Sequence, residues 1–254
     1  MAGFKSWRRA RILQKAKIDR ALWDEIAVRF TFVQALNAEE RERLRQWVVL
    51  FLHEKQIVGA GGLEITEEAR LSVAIQACIL ILNLDLDYYR GWREVIVYPQ
   101  EFVPRREYVD DSGVVHVYHE PLMGEAWEQG PVILSYADVI ARAESEGVNV
   151  VIHEFSHKLD MLNGEPNGYP PLHADMDRSA WAQAFSAAYE DFCARVDRRE
   201  ELLIDTYAAE SPGEFFAVLS EVFFESPVSL KGTYPEVYRQ LCLFYRQDPE
   251  ARLS

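Results

Sequence analysis

Apolar positions return at helical intervals near the start of the chain. Leu22, Ile26, Phe30 and Val33 recur every three or four residues, which predicts a helix from residue 21. Asn37 followed by Glu39 and Glu40 predicts a second helix, with Asn37 as N-cap and acids in the first turn. Its inner face carries Leu44, Trp47, Val48 and Phe51, and it runs to residue 55. Gly59, Gly61 and Gly62 then break the pattern. Residues 67–84 predict a third helix. Its stretch LSVAIQACILILNL (71–84) is apolar on every side, yet at 14 residues, with Gln76 and Asn83 inside it, it is too short to cross a bilayer. It reads as a buried core helix.

The period then changes. Residues 94–98 (EVIVY), 114–119 (VVHVYH) and 132–136 (VILSY) are short β-branched or alternating runs, bounded by Gly91, Pro99, the DDSG turn at 110–113 and Gly130-Pro131. They predict three short strands. Helical rhythm resumes over 138–161, with a possible break at Gly147. A Gly- and Pro-rich loop at 163–171 follows, then helices over 179–196, 211–224 and 235–245. Helices, then strands, then helices is the order of an α+β fold. The expected organisation is a basic N-terminal arm (1–20) and one domain (21–254).

Composition adds limits. With 254 residues, 49% apolar and 27% charged, the chain can bury a substantial core. The 41 acids outnumber the 27 Lys and Arg, for a net charge of −14, which disfavours direct nucleic-acid binding. The three cysteines, Cys78, Cys193 and Cys242, are odd in number and widely spaced. They build no disulfide framework and suit a reducing cytoplasm. No long apolar run follows the N-terminal charges, so a secretory signal is not expected. The arm holds seven basic residues against Asp19, so it carries +6 and the rest of the chain −20. It reads either as a solvated terminus or as a segment that docks on an acidic partner, on anionic lipid or on the chain's own acidic body, with Phe4 and Trp7 assisting.

The chemistry concentrates at His153-Glu154-Phe155-Ser156-His157, an H-E-x-x-H motif inside a helical pattern with apolar flanks. Residues four apart share one helix face. Two imidazoles there can hold one Zn²⁺, and the intervening Glu154 can take a proton from a water activated by the metal. A catalytic zinc needs a third protein ligand. The H-E-x-x-H-x-x-G-x-x-H arrangement is excluded, because positions 160 and 163 are Asp and Asn. A carboxylate on a later helix remains. Glu214 and Glu221 lie seven apart on an otherwise apolar helix, and spacing leaves both open as the ligand. Ser211-x-x-Glu214 also reads as a capping box with Pro212 at the first helical position. The acid not on the metal can hold a ligating histidine through its second nitrogen, and Asp160 is another candidate for that task. His173, in the loop, reads as a surface histidine within possible reach of substrate.

His153-Glu-Phe-Ser-His157-Lys-Leu-Asp160, followed by Tyr207-Ala-Ala-Glu-Ser-Pro-Gly-Glu214-Phe-Phe-Ala-Val-Leu-Ser-Glu221, resembles the Mlc titration factor A family of bacterial zinc-dependent, gluzincin-type peptidases, over residues 20–245. The seven-residue spacing of Tyr207 and Glu214 is also similar to that in the peptidase domain of anthrax lethal factor. The resemblance implies a zincin-like domain: an N-terminal helical part, a small sheet of short strands, and an active-site helix packed with C-terminal helices. It implies one Zn²⁺ on His153, His157 and Glu214, with Glu154 and Tyr207 catalytic. A phenol in that place can donate to an oxyanion; otherwise Tyr207 reads as a half-buried core residue. Further implications are a cytoplasmic protein, aminopeptidase-like action on short peptides or a protein substrate, and binding of a Mlc-like transcriptional repressor. The alternative is a non-catalytic protein that only sequesters such a repressor. By the same resemblance, strand 132–136 is expected at a sheet edge, pairing with substrate backbone.

Overall fold

The computed structural model describes residues 2–16, 18–99, 106–109, 115–118, 124–126, 130–140 and 149–253. Helices precede and follow most of the strands, as the periodicities predict, but one unpredicted strand, Gln56–Gly59, falls between two N-terminal helices. The N-terminal helical part comprises α1 (Ala2–Lys15), α2 (Arg20–Ala27), α3 (Thr31–Gln34), α4 (Ala38–Glu54) and α5 (Glu67–Leu80). The basic segment is thus an ordered helix seated on the chain's own acidic body. Arg9 forms a bidentate pair with Asp85, both bonds at 2.9 Å, and its guanidinium lies 5.2 Å from the Trp47 ring of α4. Lys5 pairs with Asp87. The outer side of α1 keeps Trp7, Arg8 and Arg11 exposed.

The single helix expected from residue 21 is two. Val28 and Ala35 close α2 and α3, and Phe30 between them is extended, its side chain turned into the core. Helix α4 starts where expected: Asn37 and Glu40 form a reciprocal capping box. Helix α5 is buried at every residue from 71 to 80, which is why its sequence is apolar all round. It stops short of residue 84. The Ile79 carbonyl accepts from the Leu82 N–H in a tightened last turn and from the side chain of Gln247, and Asn83 donates to the Arg246 carbonyl.

The main sheet has order β1-β2-β6-β5, from β1 (Gln56–Gly59), β2 (Glu94–Tyr98), β6 (Val132–Ser135) and β5 (Gly124–Ala126). The first three are parallel and β5 runs antiparallel to β6. A separate antiparallel pair joins β3 (Arg106–Val109) to β4 (Val115–Tyr118). Strand β6 therefore lies inside the sheet, buried at every position, and is not the edge strand expected of 132–136. The edges are β1 and the three-residue β5; β5, the edge that packs against α7, is too short to show a period of its own. Of the helix expected over 138–161, the structure shows α6 (Tyr136–Ile140) and α7 (Val150–Asp160); Gly147 lies outside the described residues.

After α8 (Arg178–Asp197) come α9 (Pro212–Glu225), α10 (Pro227–Thr233) and α11 (Pro235–Tyr245). Helix α7 packs between α5 and α9 and against β5 and β6. All its residues are buried. Phe155 anchors it in an aromatic cluster with Phe51, Tyr89 and Trp92, ring centroids 5.3 to 5.8 Å away. Such a cluster fixes how the helix is rotated about its axis, and so where its other face points.

The seating of α1 has a testable acid limb. The Arg9 hydrogen bonds lead the effects that hold the Asp85 carboxyl down to about 2, below its ordinary 3.8. Its contribution to docking is complete above 3.8 and is lost as pH falls through about 2. Arg9→Ala removes the same contact at neutral pH. Limited proteolysis is expected to release the N-terminal segment from that variant several-fold faster than from wild type; equal rates would show that α1 is held by something else.

Candidate metal centre

Local sequence first places helix α7. Asn149 is its N-cap, its side-chain oxygen accepting from the Ile152 N–H at 2.9 Å. His153 and His157 follow one turn apart on one face, ring centroids 4.8 Å apart. The crossing helix α9 begins at Ser211, whose hydroxyl accepts from the Glu214 N–H at 3.1 Å, with Pro212 at its first position. The Glu214 carboxylate goes to the histidines. Its Oε2 lies 3.0 Å from His153 Nε2 and 3.2 Å from His157 Nε2, and the two nitrogens are 3.1 Å apart.

Three lone-pair donors therefore face one point. Without a metal, a proton on His153 serves the two acids it bonds; a shared cation would instead take a lone pair from each of the two imidazole nitrogens and the carboxylate oxygen. Donors placed tetrahedrally at ~2.0–2.1 Å from a zinc ion would stand a little over 3 Å apart, the spacing found here. The N,N,O set suits zinc. Among the described residues this is the cluster of His, Cys, Asp and Glu able to hold a metal ion. Cys78, Cys193 and Cys242 are free thiols outside it.

Glu221, two turns beyond Glu214, takes a different place. Its Oε1 meets His153 Nδ1 at 2.7 Å, behind the imidazole, and its Oε2 accepts from the Asn149 N–H. Glu225 adds a bond from the Asn149 side chain at 2.7 Å. Two carboxylates of α9 thus hold the start of α7 and turn His153 Nε2 toward Glu214. Nothing in the spacing of Asn149 and Glu225 announces this, although a lone Asn within the apolar run before His153 was the available signal.

The charges follow the geometry. Burial opposes charge on His153, but the bonds from Glu214 and Glu221, with the nearby Glu154, outweigh it and hold the imidazole well above its ordinary value. Burial likewise opposes the Glu214 carboxylate, and the two histidines overcome it, leaving Glu214 well below the usual range. Fully buried Glu221 is pushed up by burial.

Glu154 is buried beside this cluster, close enough for its charge to act on both His153 and Lys158. Lys158 donates to the Gly130 carbonyl at 2.9 Å, immediately before β6, and so ties α7 to the β5–β6 connection. The Trp92 ring lies 5.2 Å from its ammonium and 3.7 Å from that of Lys55. Tyr207 sits on a 3₁₀ turn (Thr206–Ala209) capped by Asp205 and pinned by a Tyr189 hydroxyl bond to the Ala209 carbonyl. Its ring is 6.0 Å from that of His153 and 38% exposed, at the mouth of the cluster. His173 is structural: one ring nitrogen bonds the Phe244 carbonyl at 2.8 Å and the other approaches the Tyr88 hydroxyl at 3.3 Å.

Known proteins share this chain almost end to end. The family described as glucose-regulated metallo-peptidase M90 matches residues 4–246. Mlc titration factor A from Salmonella arizonae is 36% identical over 249 residues, covering 97% of this chain and 98% of the relative. The proteins of that name from Yersinia pestis and Yersinia pseudotuberculosis are each 37% identical over 237 residues, covering 92% of this chain and 87% of theirs. With an α+β, zincin-like arrangement and such coverage, the chain belongs to the glucose-regulated metallo-peptidase M90 family.

Proposed function

We propose that the protein is a zinc-dependent, gluzincin-type peptidase, with His153, His157 and Glu214 as ligands of one zinc ion and Glu154 and Tyr207 as catalytic groups. The observation that carries the reading is the convergence of His153 Nε2, His157 Nε2 and Glu214 Oε2, with Glu154 buried one residue from the first ligand. Bound zinc supplies a Lewis acid that polarises the scissile carbonyl and makes water acidic enough to be activated at neutral pH. Glu154 accepts the proton of the attacking water and delivers it to the leaving amine nitrogen. Tyr207, half-exposed at the mouth, donates its phenolic hydrogen to the carbonyl oxygen as negative charge develops there. Strand β5 packs against α7 and has no strand on its far side among the described residues, so its edge can pair with an extended peptide.

The action is aminopeptidase-like on short peptides, in a reducing cytoplasm that keeps the three thiols free. A free α-amino group should matter: acetylated peptides are expected to be cleaved at least ten-fold more slowly than their free counterparts. Equal rates would make this an endopeptidase. No helix of the described residues is long and apolar enough to cross a membrane.

A second role rests on a separate observation, the name carried by the relatives, which links those proteins to Mlc. We propose that the acidic body, −20 outside the N-terminal segment, also receives the basic face of a Mlc-like repressor. Binding of such a repressor that persists after chelation, without hydrolysis of any peptide, would make sequestration the whole function.

Two variants test the catalytic reading. Glu154→Gln is expected to keep its zinc and lose ~10²–10⁴-fold in hydrolysis, since a general base is removed. Wild-type turnover by this variant would sink the mechanism. Glu214→Ala is expected to lose zinc and hydrolysis together, read by metal analysis beside a peptide assay. Zinc retained at one per chain would move the third ligand elsewhere, with Glu221 the next acid to test.

A further inference from the structure

We infer that Asp160 is a positioning residue that selects the tautomer of His157 and, through one loop, sets the place of Glu214; the inference rests on the metal reading above. Asp160 ends α7 and is completely buried. Its Oδ2 accepts from the Gly168 N–H at 2.7 Å, and the amides of Asn167 and Tyr169 also turn toward the carboxylate. Its Oδ1 has no hydrogen-bond partner. One turn earlier on the same helix, His157 Nδ1 is likewise buried without a partner. The two residues interact electrostatically. No direct bond joins the two in this structure; the proposal is that one proton, donated by His157 Nδ1 to Asp160 Oδ1, answers both the leftover acceptor and the leftover ring nitrogen. A neutral imidazole has one N–H and one lone pair. With the proton on Nδ1, the lone pair is on Nε2, the atom 3.1 Å from His153 Nε2 and 3.2 Å from Glu214 Oε2. His153 receives the same service from Glu221.

The other oxygen of Asp160 reaches further. Gly168 adopts a left-handed φ of 75° and lies so close to α9 that a Cβ would stand 2.5 Å from the Pro212 carbonyl oxygen. Gly213 meets the Pro166 carbonyl in the same way, at 2.9 Å. The loop held by Asp160 is therefore in backbone contact with the first turn of the helix that carries Glu214. One carboxylate registers two of the three donors.

Asp160→Asn tests this. The Gly168 N–H keeps the amide oxygen on its own side, which turns the NH₂ to His157. An NH₂ can only donate, so the lone pair moves to Nδ1 and the proton to Nε2, into the donor cluster. Zinc affinity, measured by chelator competition, is expected to fall ~10–100-fold, the usual cost of losing such a partner. In the metal-free protein, ¹⁵N imidazole NMR should move the His157 proton from Nδ1 to Nε2, with the melting temperature unchanged. Wild-type zinc affinity with Nδ1–H retained would overturn the proposal. Should the variant fail to fold, the zinc-loaded wild type decides: a downfield, slowly exchanging His157 Nδ1 proton is expected, and an ordinary, fast-exchanging one overturns it. Wild-type protein that binds no zinc at all would instead defeat the metal reading, while the metal-free NMR still reports on Asp160.

Discussion

Two helices cross where α7 meets α9, and at the crossing two buried imidazoles and a partly exposed carboxylate bring three possible ligand atoms within 3.2 Å of one another. Without a cation, that arrangement leaves two imidazoles and a carboxylate to share protons. Much of the surrounding structure can be read as what holds it. Phe155 locks the back of α7 into aromatic core, Glu221 and Glu225 hold its start, and Asp160 holds its end. Helix α9 supplies the opposing carboxylate from its first turn, where Ser211 and Pro212 fix the entry of the chain. A buried polar cluster survives in a fold only when its members are satisfied, and here one ion would satisfy all three at once.

The division of labour between Glu214 and Glu221 follows from the same crossing. Both lie on one face of α9 and both reach His153, one on each ring nitrogen. The first sits with both Nε2 atoms in front of the imidazoles; the second sits behind, fully buried, and bonds the backbone of the N-cap residue as well. Their environments push their acidities in opposite directions, Glu214 down and Glu221 up. That asymmetry suits one acid for a cation and the other for orienting its ligand.

Which parts of this were legible in the chain depends on range. The His153–His157 pair is local, set by helical spacing alone, and so are the Asn37 capping box and the α9 start at Ser211 and Pro212. The Glu214–Glu221 ambiguity could not be resolved from spacing, since residues seven apart face the same way and only the crossing with α7 distinguishes them. The seat of the basic segment was hidden for a similar reason: Arg9 meets Asp85, 76 residues on. The edge of the sheet was missed because β5 has three residues, and the middle position of β6 because strand order is set by pairing and not by pattern. The apolar length of α5 was clear, whereas its end was not, since a side chain from the C-terminal region shares the carbonyl of Ile79 with the tightened last turn.

X-ray absorption at the zinc edge on the purified wild-type protein tests the central claim most directly. The account predicts one zinc per chain with a first shell of light donors at ~2.0–2.2 Å, including the multiple-scattering signature of two imidazoles and no sulfur. A sulfur shell at ~2.3 Å, or a single imidazole, would contradict a centre built from His153, His157 and Glu214.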